Sequence, residues 1–102
     1  MSSLSEIYFN YDRAIEQAKK LEGISRQLKK AADNTMEGIL NDVHGAWKSD
    51  SAPQYIKKGQ KVEGDMRATA GNLANIASTI RTIAQRIRDA ELVAWRIANE
   101  RT

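Results

Sequence analysis

His44, Ser49 and Asp50 bring together, in one short stretch, the side-chain types of a nucleophilic hydrolase triad. That stretch, His44-Gly45-Ala46-Trp47-Lys48-Ser49-Asp50, also interrupts the apolar periodicity on both sides of it and so reads as a turn. A turn offers neither an oxyanion scaffold nor a third group to orient the imidazole, which favours a structural His44 over a catalytic one. There is one histidine and no cysteine, so thiolate or multi-histidine metal sites and disulfide frameworks are excluded. No G-x-G-x-x-G or Walker run offers a phosphate cradle. Gly59 and Gly71 stand singly inside a helical pattern, where they suit the close approach of another helix. The reading is a non-enzyme with no catalytic residue, no cofactor and no metal.

The other chemistry to weigh is charge. Sixteen lysines and arginines against 13 acids give +3 and a pI near 9.3 over 102 residues. Residues 1–47 carry six bases and seven acids, net −1; residues 48–102 carry ten and six, net +4. Lys57, Lys58, Lys61 and Arg67 form the densest basic cluster, but acids interleave with the bases elsewhere and few phosphate contacts converge. No functional nucleic-acid binding is expected. No run approaches the ~18 apolar residues of a membrane span, so stable membrane insertion is not expected. The start, MSSLSEIYFNYDR, has neither a basic region nor an apolar core, which argues against a classical signal peptide.

Two helices must position these residues. Ser3-Leu4-Ser5-Glu6 reads as a capping box. From it a three-four seam runs through Leu4, Ile7, Tyr11, Ala14, Ala18, Leu21, Ser25, Leu28, Ala32, Thr35 and Ile39. Ile15, Met36 and Val43 widen it. Gly45 is the expected helix stop, and Ser51-Ala52-Pro53-Gln54 a second start, with the single proline in the first turn where its missing N–H costs least. The second helix repeats more cleanly, through Tyr55, Gly59, Val62, Met66, Thr69, Leu73, Ile76, Ile80, Ile83, Ile87, Ala90, Ala94 and Ile97. Beside that seam runs a row of small residues, Ala70, Ala77 and Ala84, continued by Glu91 and Ala98. The pattern predicts an all-α antiparallel hairpin in one domain, 1–102: helix one over about 4–44, a turn over about 45–51, helix two over about 52–98. So wide a face in so small a chain predicts dimerisation into a four-helix bundle, with Ala70, Leu73, Ala77, Ile80 and Ala84 at the interface.

Trp47 stands at the turn, either capping the open end of the hairpin or serving as a recognition anchor. A chain of this length, with two long helices and a tryptophan in the middle turn, resembles the WXG family, the small Trp-X-Gly helical hairpins of type VII secretion systems. Trp47-Lys48-Ser49 has Ser49 where that family usually has glycine. An aromatic-x-x-x-acid export pattern is not met, because Asn99 follows Trp95 by four and Glu100 comes one place too late. A looser pattern, an apolar residue four before an acid with two apolar residues after, is met by Ile87, Glu91, Ala94 and Ala98. The resemblance implies secretion without a classical signal peptide from a cytoplasmic pool. It also implies pairing with a like or unlike hairpin, selection by a membrane-bound secretion ATPase, and in some relatives service to a larger toxin. The rival reading is a cytoplasmic helical adaptor or nucleic-acid-binding dimer using the Lys57 cluster.

Overall fold

The computed structural model describes residues 3–47 and 50–100. It is an all-α helical hairpin. Helix α1 spans Leu4–Lys30, a six-residue π-helical segment spans Ala31–Met36, α2 spans Glu37–Ala46 and α3 spans Ala52–Glu100. Among the described residues there is no strand, and no helix is long and apolar enough to cross a membrane. The chain divides into two compact units: residues 1–22 with 75–102, and residues 23–74. We call these the terminal unit and the turn unit.

Helix starts follow local chemistry. The Ser3 hydroxyl accepts from the Glu6 amide at 3.3 Å and the Ser3 carbonyl from the Ile7 amide at 3.1 Å, the forward half of the expected capping box. At α3 the Ser51 carbonyl receives the amides of Gln54 and Tyr55, and Pro53 takes its place in the first turn as expected. The stop differs from expectation. No glycine among the described residues adopts a positive φ, so Gly45 does not end the helix; α2 continues to Ala46. Trp47 ends it instead, turning to extended geometry (φ −93°, ψ 119°) while its amide still donates to the Val43 carbonyl at 2.9 Å.

The terminal unit is built on Ile7 and Ala18 of α1 and Ala77 and Ala84 of α3, all buried. Its flank is closed by the Arg81 guanidinium, which donates twice to the Glu22 carboxylate at 3.0 and 2.7 Å, and by Arg88 lying 4.4 Å over the Tyr11 ring. The turn unit buries Ala32, Ala52, Ala70 and, with 9% exposed, Glu63. There the Ser25 hydroxyl donates to the Ala70 carbonyl at 2.7 Å, a distance that only small side chains on both helices permit. Gly59 serves the same end, since a methyl group at that position would overlap the Leu40 side chain.

Two features of the expected seams are corrected. In α3 the inward columns contain Gly59, Met66, Leu73 and Ile80 together with Glu63, Ala70, Ala77 and Ala84. The alanine row therefore packs within the single chain, and Ala70, Ala77 and Ala84 are buried rather than exposed for a second copy; Leu73 and Ile80 are half-buried beside them. The bulkier column taken as core, Tyr55, Val62, Ile76, Ile83 and Ile97, stays about half exposed. Small residues win the inner position because they let helix backbones approach, and closer approach yields more contact than a large side chain holding the helices apart. In the first helix the seam continues through Met36, Leu40 and Val43, which are half-buried, while Thr35 and Ile39 are exposed. The π segment is the reason: its wider turn takes up one extra residue and shifts every later position by one.

Candidate functional site

The turn end of α2 and α3 gathers the residues with most recognition capacity. Trp47 keeps 48% of its surface exposed. Its ring meets that of Tyr55 edge to face, with centroids 5.4 Å apart and planes at 88°. Beside the pair lies an open cleft of about 530 Å³ lined by His44, Trp47, Ala52, Pro53, Ile56, Lys57 and Gln60. Trp47, Ala52, Pro53 and Ile56 supply its apolar lining, and His44, Lys57 and Gln60 its polar groups. Ser49, the third position of the Trp-Lys-Ser motif, lies outside the described residues.

The C-terminal positions behave less uniformly. Ile87 and Ala94 are exposed, whereas Glu91 and Ala98 are half-buried. Ile87 and Glu91 share a small groove of about 130 Å³ with Ile7, Asn10, Tyr11, Ala14, Ala84 and Arg88. Arg88, stacked on Tyr11, lies in the same groove.

Arg67 is corrected most. Grouped in sequence with Lys57, Lys58 and Lys61, it is instead held by three carboxylates. Its Nε donates to Asp33 Oδ1 at 2.7 Å, its Nη1 to Glu63 Oε1 at 2.9 Å, and its Nη2 lies 3.7 Å from Glu37 Oε2. The hydrogen bond to Asp33, then that to Glu63, raises the pKa of Arg67 above its already high ordinary value; Glu22 does the same to Arg81. A raised basic pKa means the charged guanidinium favours the fold while its carboxylate partners are ionised, and that contribution is lost at the alkaline end only as pH rises through the folded arginine value. Both arginines therefore stay charged across the physiological range. Glu63 Oε2 is buried without a partner, the one side-chain oxygen so placed among the described residues. Lys57, Lys58 and Lys61 are exposed and join none of the ion pairs among the described residues.

Sequence reasoning missed the π segment and the Arg67 cluster. A signal was present: Met36, Leu40 and Val43 are in phase with one another but one residue out of phase with Ala32 and everything before it. Among the described residues no group of three or more His, Asp or Glu could hold a metal ion. Neither a protein-family model, nor a curated protein, nor a solved structure matches this chain.

Proposed function

We propose that this chain is a WXG-like secretion hairpin, a substrate or escort of a type VII system that acts through protein–protein contact and carries out no catalysis. The observation that carries the reading is the turn: a half-exposed tryptophan at the junction of two long helices, set against an aromatic neighbour and an open cleft of mixed lining. An aromatic so placed contributes little to a core and much to a contact surface.

Dimerisation belongs to the same proposal, through a different surface from the alanine row. Ile24 and Ile39 each precede a seam residue by one, as do Tyr55 and Val62 on α3, so in the turn unit all four share one edge of the antiparallel pair. The opposite edge is occupied by Arg67 and its carboxylates. In the terminal unit Ile76 and Ile83 hold the equivalent open column of α3, opposite the Arg81–Glu22 edge. Each unit thus has one edge closed by charge and one apolar column left in water, which a second hairpin, like or unlike, covers. The cell exports the assembled protein from the cytoplasm by way of a secretion ATPase.

The test is the ratio of extracellular to cell-associated protein for Trp47→Ala in a strain carrying the matching system. Truncating a half-exposed ring should cost ~1–2 kcal/mol by area, leaving a folded protein that is no longer exported; normal export sinks the recognition role of Trp47. Light scattering at micromolar concentration reads the assembly, with Ile83→Arg expected to give a folded monomer. A wild type that runs as a folded 11.4 kDa monomer points to an unlike partner. Sub-micromolar DNA binding at physiological salt, lost in Lys57→Glu with Lys58→Glu, favours the nucleic-acid alternative.

A further inference from the structure

The first helix carries two apolar phases that differ by one residue. An unbroken α-helix continued from Leu28 and Ala32 brings Thr35 and Ile39 inward, as the sequence pattern alone implies. The structure brings Met36 and Leu40 inward, seats Leu40 on Gly59, and leaves Ile39 50% exposed. An isoleucine and a leucine, adjacent in sequence, therefore compete for one seat, and each has a self-consistent helix to deliver it. The π segment, Ala31–Met36, is the whole difference between the two packings.

One side chain is placed to decide between them. Arg67 reaches from α3 to Asp33, inside the π segment, and to Glu37, the first residue beyond it, while Glu63 holds the guanidinium from below. Relaxing the segment to α-helix turns Glu37 and all that follows by about 100° relative to the residues before it, carrying Glu37 away from Arg67. It also moves Ile39 off the open edge and puts Gly38 in its place.

We propose that the π segment is a register selector held by Arg67, which keeps Leu40 in the seat on Gly59 and displays Ile39 on the open apolar edge. Released, the helix takes the α register, Ile39 fills the seat and the edge loses its isoleucine. Arg67 is then a positioning residue for docking rather than a contact in it. The docking consequence rests on the proposed function above; the choice of register does not.

Nuclear Overhauser contacts from the Gly59 α-protons read the register without altering either competitor. In the wild type they run to the Leu40 methyls. In Arg67→Gln, and more mildly in Asp33→Asn, a second set running to Ile39 is expected at a tenth or more of the intensity. Deleting Asn34, an exposed residue of the π segment, removes the extra residue and seats Leu40 with an unbroken α-helix. Arg67→Gln should then have no effect on the contacts. Circular dichroism confirms that each variant is folded. Leu40 contacts alone in both Arg67→Gln and Asp33→Asn overturn the proposal, as does a second set that survives the Asn34 deletion. For docking, Arg67→Gln should weaken self-association about tenfold and the deletion restore it. A monomeric wild type removes the docking consequence while the contacts from Gly59 still decide the register.

Discussion

All six glycines lie in the turn unit and none in the terminal unit. The terminal unit keeps one helical phase from end to end, buries aliphatic residues alone, and uses a single bidentate ion pair and a cation–π stack at its edge. The turn unit contains the π segment, a buried acid with an orphan oxygen, a serine bonded across the interface and an arginine shared by three carboxylates. Two units of similar size, cut from the same pair of helices, thus differ in how firmly sequence fixes packing. In the terminal unit steric fit does so alone. In the turn unit steric fit leaves two answers, and polar contacts choose.

That contrast can be broken or sharpened by substitution. The largest effect is expected from Ala77→Arg in the terminal unit. Its side chain is fully buried, and a charge forced there without a partner should cost ~3–5 kcal/mol, seen as loss of helicity at temperatures where the wild type is folded. The neighbouring Ile76→Arg, on the open column, should leave a folded helical protein whose melting temperature falls only by what association adds; if both collapse the fold, the two columns have been assigned wrongly. Next comes Gly59→Ala, which meets Leu40 and should destabilise by ~1–3 kcal/mol through overpacking. Gly71→Ala has open space and should stabilise by ~1 kcal/mol, the helix-propensity gain. Opposite signs for two glycines of one helix, read by urea denaturation, test the close approach directly. Glu63→Leu follows: it removes the carboxylate that accepts from Arg67 and should destabilise by ~1 kcal/mol, whereas unchanged or higher stability shows that the orphan oxygen of Glu63 costs as much as its bond to Arg67 contributes. Smallest is Arg81→Gln, a half-buried pair whose loss should lower the melting temperature by about a few degrees at low salt and less at 1 M, where the Debye length is ~3 Å.

Much of the fold is legible in the residues. The turn, the proline start of α3 and the wholly helical periodicity of the described residues follow from pattern and punctuation. The seam of α3 does not, because three adjacent columns are apolar and hydrophobicity ranks Ile76 and Ile83 above Ala77 and Ala84. Only the spacing between helices reverses that order, and spacing is a property of the pair. The shift at Ala31–Met36 is harder still. Ile39 and Leu40 are equally apolar, and the choice rests on Gly59 and Arg67, 19 or more residues away in sequence. At the candidate site Trp47 is visible as an anomaly, while its ring contact with Tyr55 and the cleft beside it require the chain to turn back on itself.

Contacts across the pair also set an order of assembly. The Arg67–Asp33 pair joins residues 34 apart, the Ser25–Ala70 bond residues 45 apart, and the Arg81–Glu22 pair residues 59 apart. Closing a loop costs entropy that grows with its length, so contacts nearest the turn form most cheaply and each shortens the loop left for the next. Folding on this ladder runs as a zipper from the turn outward. Destabilising substitutions near the turn should slow folding, while those toward the chain ends should mainly hasten unfolding. The segment with two registers is then among the first to be committed, before the terminal unit has formed.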